Sequence, residues 1–135
     1  MSQLINESKI MRIDGGAKTS EPIYSIYLSG KITGDPDYLE KFEAVAHELR
    51  VAYPNAEVFN PAAELSGIEE MLKKAEVNEK DQHDILVAVC LKMLERYQAI
   101  AMMPGWESSK GAIAEFQTAV KRGMPILSLT EDWMP

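Results

Sequence analysis

The sequence predicts an α/β fold in which helices cover both faces of a parallel sheet. From residue 23 onward, short β-branched or apolar runs alternate with longer segments of helical periodicity, as in doubly wound sheets. Glycine, proline or asparagine follows the first three of these runs and marks their ends. The chain has 135 residues, the length of one domain. We therefore expect a flavodoxin-like or Rossmann-like three-layer sandwich with a four- to five-stranded parallel sheet.

The elements of this sandwich follow from residue type and periodicity. Residues 23–28 are β-branched and aromatic and predict the first strand. Asp35 and Pro36 suit a helix start, and apolar side chains at helical spacing extend the first helix to residue 52. The remaining strands are expected at residues 56–59, 99–103 and 125–129, and a last helix from Ser108 or Ser109 to Arg122, ended by Gly123.

Three segments are less regular. Residues 61–78 are rich in Ala, Glu and Lys and predict one short helix within a mobile connection. The apolar run from Ile85 to Leu91 fits either a buried strand or a buried helix. Because helix formers surround this run, we favour a helix over residues 79–96, buried on most sides. Residues 1–21 are polar and without sustained periodicity, so we expect a flexible N-terminal arm ahead of a single domain at residues 22–135.

Composition excludes several classes of partner and site. The chain carries 14 Lys and Arg against 21 Asp and Glu, a net charge of −7, which disfavours binding to nucleic acid polymers. One Cys and two His cannot build a four-ligand zinc site, and we expect neither a metal nor another cofactor. The longest apolar run has seven residues, so no membrane partner is expected. With no export signal and no possible internal disulfide, the expected location is the cytoplasm.

Polar and glycine-rich loops follow the carboxyl ends of the predicted strands, the edge at which ligands of parallel sheets bind. Glycine lets backbone N–H groups approach a phosphate or a sugar, although the spacing matches neither the dinucleotide-binding nor the ATP-binding pattern. The paired serines that open the last helix suit a phosphate. Each feature has an alternative interpretation. The glycine-rich loop would be only a tight turn, the serines would only cap the helix, and Trp106 would only cover the core. The candidate substrate-binding residues of these loops are Ser29, Gly30, Lys31, Ile32, Thr33, Gly34, Asn60, Pro104, Gly105, Trp106, Ser108, Ser109 and Gly111.

Glu115 is the candidate nucleophile. At 100° per residue it falls at the edge of the apolar face of the last helix, and helical side chains lean toward the N-terminus, which places its carboxylate over Gly111. The N-terminus of the helix would help to keep this carboxylate ionised. The alternative is a boundary glutamate that bonds a neighbouring loop. His83 and Asp84, at the start of the third predicted helix, are either an acid/base pair or a solvated helix start.

Together these segments resemble the nucleoside 2-deoxyribosyltransferase-like superfamily, in particular its small phage and bacterial branch described only as a domain of unknown function. The resemblance covers residues 23 to 129. Residues 26–34 (IYLSGKITG) look like the first strand and sugar/phosphate loop of that superfamily, and residues 58–61 (VFNP) look like its second strand end. Residues 103–115 resemble its most diagnostic segment, in which a Pro-Gly-Trp sequence precedes a glutamate.

The resemblance implies roles for individual residues. Glu115 would be the nucleophile, the serines would lie near the 5′ end of the substrate, and Tyr27 would border the sugar. Cys90 and Gln98 stand where the superfamily usually has two acidic residues, of which the first commonly handles the leaving base. Asp84 lies about 240° around the helix from Cys90, so it would replace that acid only in a different substrate pose.

We therefore expect an N-glycosidase or 2-deoxyribosyltransferase that acts on deoxynucleosides or their 5′-monophosphates through a covalent glycosyl intermediate on Glu115. Asp84, Glu107 or a water would donate a proton to the leaving base. The second hypothesis is a binding module that holds a nucleotide or a nucleotide-derived signal without cleaving it. The apolar third helix predicts, and the resemblance implies, a homo-oligomer, either a dimer or a larger closed assembly.

Overall fold

One five-stranded sheet organises the chain in a computed structural model, which describes residues 10–13, 22–32 and 34–129. The strands are β1 (Ile10–Ile13), β2 (Ser25–Ser29), β3 (Glu57–Phe59), β4 (Ala99–Met102) and β5 (Ile126–Leu129). The helices are α1 (Tyr38–Ala52), α2 (Pro61–Glu64), α3 (Ser66–Lys74), α4 (Glu79–Leu94) and α5 (Lys110–Lys121), with a short 3-10 helix, Trp106–Ser108, before α5. None of the helices in these ranges is long and apolar enough to cross a membrane.

The sheet is mixed and mostly parallel. Its strand order is β1-β5-β4-β2-β3, in which β3, β2, β4 and β5 run parallel while β1 pairs with β5 in the antiparallel sense. The parallel part starts at β2, from which the chain places β3 on one side and then β4 and β5 on the other. The predicted α/β class is confirmed, whereas the prediction of a purely parallel sheet is wrong at one edge.

The antiparallel edge strand comes from the predicted N-terminal arm. Ile10 pairs with Leu129, and Ile13 pairs with Ile126. Ile10 is buried whereas Met11 is exposed, as expected for a strand at the edge of a sheet. Four residues are too few to show a period, which is why the sequence pattern does not separate β1 from the arm. The rest of the predicted arm, residues 1–9 and 14–21, lies outside the described residues.

Alternation along β2 divides its side chains between two cores. Ile26 and Leu28 pack with buried apolar side chains of α1, and Tyr27 packs with those of α4 and α5 on the opposite face. Helices therefore cover both faces of the sheet. Because the side chains of a strand alternate with a period of two, Ser29 lies on the same face as Tyr27.

Local capping explains where helices differ from the prediction. α1 begins at Tyr38 rather than at residue 36, because the Asp35 carboxylate accepts a hydrogen bond from the backbone N of Asp37 (2.9 Å) and stabilises a turn ahead of the helix. Residues 61–78 contain two helices instead of one. Asn60 caps the first of them, α2, through its side-chain oxygen, so this connection is more ordered than its composition indicates.

Two open alternatives are decided. The apolar run from Ile85 to Leu91 is helical and lies inside α4. The prediction that this helix is buried on most sides is wrong, because it buries only Cys90 and Leu94. Ser109 rather than Ser108 caps α5, because Ser109 Oγ accepts a hydrogen bond from the backbone N of Ala112 (3.1 Å). The prediction that Gly123 ends this helix is confirmed by its positive φ of 69°, the conformation typical of a helix-terminating glycine.

Gly30, directly after β2, leaves no space for a side chain. An added Cβ would lie 2.8 Å from Met103 Sδ and 3.0 Å from Met103 Cβ. We expect Gly30→Ala to lower the free energy of unfolding by about 1–3 kcal/mol through overpacking. Gly67→Ala is the matched control, because no atom lies within 4 Å of its added Cβ, and alanine is expected to stabilise α3 by up to about 1 kcal/mol. Urea unfolding measures both variants, and equal stabilities would contradict the prediction.

Candidate functional site

A cavity opens where the carboxyl end of β2 meets helices α2 to α5. Its volume is about 110 Å³, and its empty space is about 720 Å³ when the open solvent at the mouth is included. Aliphatic side chains and glycines form most of the wall. The lining residues with titratable or hydroxyl groups are Tyr38, Glu69, His83, Cys90, Ser109 and Glu115.

Glu115 is the most deeply buried charged residue of this cavity, with 7% of its surface exposed. The Tyr27 hydroxyl donates a hydrogen bond to Glu115 Oε2 (2.7 Å), and Ser29 Oγ donates one to Glu115 Oε1 (2.6 Å). The Cys90 thiol lies close enough to affect the electrostatics of this carboxyl group. Such short bonds to a carboxylate are roughly twice as strong as bonds between neutral groups, so the carboxyl group is held in one orientation.

Burial dominates the electrostatics of this cluster. Removal from water raises the pKa of Glu115, although the hydrogen bonds from Ser29 and Tyr27 and the nearby Cys90 thiol lower it in part. Burial and then the Glu115 charge raise the pKa of Tyr27 far above its usual range and that of Cys90 to about 12. Both side chains therefore stay protonated at neutral pH. Among the described residues, no three His, Cys, Asp or Glu side chains are grouped so that they could hold a metal ion.

Alternation and helical spacing bring the cluster together. Tyr27 and Ser29 lie two residues apart on β2, so both hydroxyls reach the same side. Glu115 follows Gly111 by one turn of α5, and a Cβ at Gly111 would meet Val87 Cγ2 at 3.6 Å, an ordinary contact. No atom of the Glu115 side chain would lie within 4 Å of that Cβ, so the predicted position of the carboxylate over Gly111 is not supported. Glu115 bonds to β2 rather than to a neighbouring loop.

The glycine-rich loop after β2 contributes part of the cavity wall. Gly30 and Ile32 line the cavity, whereas Lys31 is half-buried and does not line it. Gly34 has a positive φ of 86°, which favours glycine, and lines a second, more open cleft. Thr33 lies outside the described residues.

The second cleft adjoins the cavity. Ile32, Tyr38 and Glu69 line both of them, while Lys73 of α3 lines only the cleft. A ligand too long for the cavity would therefore extend between the loop after β2 and α3.

The loop after β4 supplies fewer lining residues than predicted. Trp106 stacks on a phenylalanine of α5, with 4.7 Å between the ring centroids, and so covers the core instead of the cavity. Ser108 is exposed, and its Oγ donates a hydrogen bond to the carbonyl oxygen of Gly105 (3.0 Å). Ser109 lines the cavity, whereas Ser108, Pro104 and Gly105 do not.

Two further predicted residues lie outside the cavity lining. Asp84 is exposed and forms an ion pair with Lys80 (2.9 Å). The structure does not bring it to the cavity, because it lies about 240° around α4 from Cys90, so its predicted role at the leaving base is not supported. Asn60 Oδ1 accepts a hydrogen bond from the backbone N of Ala62 (3.0 Å). It therefore acts as the cap of α2, whose Ala62 lines the cavity.

Of the wall that α3 and α4 supply, only His83 is among the candidate residues of the sequence. His83, Leu86, Val87 and Cys90 line the cavity from one face of α4, at the helical spacing i, i+3, i+4 and i+7. This spacing is visible in the sequence, but it indicates a cavity wall only when Cys90 is known to lie at the site. No sequence pattern indicates that Glu69 lines the cavity, because residues 61–78 have the composition of a segment that connects two elements.

Gln98, at the second position where the resemblance implies an acid, contributes to the sheet instead of the cavity. Its Nε2 donates a hydrogen bond to the carbonyl oxygen of Pro22 (2.7 Å), and its Oε1 accepts one from the backbone N of Tyr24 (2.8 Å). The side chain thereby holds the segment before β2 against the start of β4. Of Cys90 and Gln98, only Cys90 lies at the cavity.

Comparison with known proteins identifies one family. The family model described as Domain of unknown function (DUF4406) matches residues 24–128. No curated protein and no solved structure matches the chain. The matched segment runs from the start of β2 into β5 and contains every residue that lines the cavity. The chain therefore belongs to the DUF4406 family.

Proposed function

We propose that the protein is an N-glycosidase or 2-deoxyribosyltransferase that acts on deoxynucleosides or their 5′-monophosphates. The observation that carries this proposal is the Glu115 carboxyl group, which is buried at an open cavity and held by the Tyr27 and Ser29 hydroxyls. A buried carboxyl group is costly to keep. A carboxyl group with a perturbed pKa in a cleft is a candidate for catalysis, and the two hydroxyl hydrogen bonds fix its orientation.

In the proposed reaction, ionised Glu115 attacks the anomeric carbon of the 2-deoxyribosyl group. A bond forms between a Glu115 oxygen and C1′ while the C1′–N bond breaks, and the base leaves with the electron pair and takes up a proton. Water or a second base then attacks C1′ and releases Glu115, so that the configuration at C1′ is retained overall. Tyr27 and Ser29 orient the carboxylate for the first step.

Incubation of the protein with the four deoxynucleosides and their 5′-monophosphates tests this proposal. Chromatography of the mixtures is expected to show free base from at least one of them, and additional exchange products when a second base is supplied. Folded protein that releases no base from any of the eight compounds would contradict the proposal.

A non-catalytic binding module is the second candidate. It is favoured by the burial that raises the pKa of Glu115, because a protonated carboxyl group is not a nucleophile, and by a thiol at the position where the superfamily usually has an acid. Calorimetric titration with the same compounds separates the two candidates. Tight binding without base release would support the binding module.

The two neighbouring serines at the start of α5 provide a matched test of a 5′-phosphate subsite. Ser109 lines the cavity and caps α5, whereas Ser108 is exposed. We expect Ser109→Ala to weaken binding of a monophosphate more than that of its nucleoside, because only the phosphate presents a charge to the helix N-terminus. The lost cap is expected to cost about 1 kcal/mol of stability. Calorimetry that shows equal losses for both ligands, or the same selectivity for Ser108→Ala, would contradict the phosphate subsite.

We also propose a flavodoxin-like arrangement and a homo-oligomer. The order β3-β2-β4-β5 of the parallel strands supports the first proposal, since it matches the first four strands of the order 2-1-3-4-5 found in flavodoxin-like sheets. α4 supports the second, because Ile85 is 39% exposed and α4 buries only Cys90 and Leu94. Exposed apolar surface favours an interface. Light scattering is expected to give a mass of at least twice 15.1 kDa, and a monomer at micromolar concentration would contradict the prediction.

A further inference from the structure

We propose that His83 delivers the proton that the leaving base requires; this inference rests on the glycosyl-transfer function proposed above. His83 lines the cavity from α4, seven residues before Cys90. Seven residues are about 20° short of two full helical turns, so the two side chains lie on the same face of α4. Cys90 is buried near Glu115 at the inner end of that face, whereas His83 is exposed, which places His83 toward the mouth.

The distance between these positions fits a nucleobase. At 1.5 Å per residue, His83 and Cys90 are about 10 Å apart along the axis of α4. Leu86 and Val87 line the cavity between them and offer an apolar surface to the flat side of a base. With the anomeric carbon at Glu115, the base would lie along this surface and its far edge would approach His83.

The chemistry balances with His83 in this position. In the first step C1′ bonds to a Glu115 oxygen, the C1′–N bond breaks, and the imidazolium of His83 gives its proton to a ring nitrogen of the base. The products are the glycosyl ester, the neutral base and neutral His83. In the second step water attacks C1′ and the bond to Glu115 breaks, which restores the carboxylate. The proton of the water passes to solvent, from which the exposed His83 takes up a proton and becomes imidazolium again.

The other titratable groups of the cavity are less suitable donors. Imidazole is the side chain that ordinarily exchanges a proton between pH 5 and 8, and a donor works best when its pKa lies near the working pH. Burial raises the pKa of Cys90 to about 12 and also raises that of Tyr38. Glu69, on α3, is the remaining alternative. On α4 itself, Asp84 next to His83 is paired with Lys80.

The experiment compares two leaving groups. His83→Gln and Glu69→Gln are assayed on the deoxynucleoside that the wild type cleaves fastest and on 4-nitrophenyl 2-deoxyriboside, whose 4-nitrophenolate leaves without a proton. His47→Gln is the control, because His47, on α1, is exposed and does not line the cavity. We expect His83→Gln to slow base release by about 10²-fold or more and to cleave the nitrophenyl substrate within a few fold of the control.

Four results would overturn this role. His83→Gln that releases base as fast as His47→Gln would show that the proton comes from elsewhere. An equal loss on both substrates would show that His83 acts through structure or binding. A selective loss in Glu69→Gln alone would assign the proton to Glu69. A wild type that cleaves neither substrate would overturn the proposed glycosyl transfer itself, and with it the need for a donor.

Discussion

Replacement of Glu115 by glutamine is expected to slow base release by at least about 10³-fold, because the substitution removes the charge that attacks carbon. Glutamine keeps the size of the side chain. Its amide oxygen accepts one hydroxyl hydrogen bond and its amide NH₂ group donates to the other hydroxyl oxygen, so Tyr27 and Ser29 keep partners. Nucleotide affinity, measured by calorimetry, is therefore expected to change little while the rate of base release collapses.

Glu95→Gln is the matched control for this substitution. Glu95 is exposed, and its Oε1 lies 3.8 Å from Lys92 Nζ. The same chemical change at this position is therefore expected to leave base release intact. Wild-type turnover in Glu115→Gln, accompanied by a loss of about 1 kcal/mol of stability, would show that Glu115 is a structural residue. Tight binding with no turnover in either the wild type or the variant would favour the binding module.

The elements around the cavity could be predicted where their periodicity extends over many residues. The β-branched and aromatic residues of β2 and the Gly123 that ends α5 are local patterns, and the structure confirms both. The buried residues of α5 are Ala112, Glu115 and Ala119, so Glu115 lies within the buried face and not at its edge as predicted. β1 has only four residues, and α3 buries none of its side chains. Neither element has a periodic pattern of buried apolar residues in the sequence, so its position depends on tertiary contacts.

The residues of the site at the carboxyl edge of the sheet could be predicted from the sequence, but the contacts made across the cavity could not. The position of Glu115 one turn after Gly111 follows from helical spacing within α5. Its bonds to Tyr27 and Ser29 join positions 88 and 86 residues away, and they depend on how α5 packs on β2, which periodicity does not encode. The same limit explains Trp106, whose stacking partner lies on α5, so that a residue expected to face a ligand covers the core.

The stability of the wild type relative to Glu115→Gln is expected to fall as the pH rises. Burial raises the pKa of Glu115 in the folded protein above the ordinary value of 4.5, so the folded state binds this proton more tightly than the unfolded chain does. The stabilisation that results is complete below the unfolded pKa and is lost as the pH rises through the folded pKa. The difference in unfolding free energy should change by up to about 1.4 kcal/mol per pH unit between the two values.

Base release is expected to change with pH in the opposite sense over the same window. The attacking form of Glu115 is the ionised one, so below the folded pKa the rate should fall about tenfold for each pH unit, and the acid limb should lie above the usual carboxyl range. Urea unfolding of both proteins from pH 4 to pH 8, with initial rates of the wild type at each pH, measures the two effects together. Because one proton equilibrium drives both, the loss of relative stability must level off around the folded pKa, which is also the midpoint of the gain of activity. A stability difference that is constant or increases with pH, or an acid limb at the ordinary carboxyl pKa, would contradict the buried, proton-binding Glu115 on which the proposed nucleophile depends.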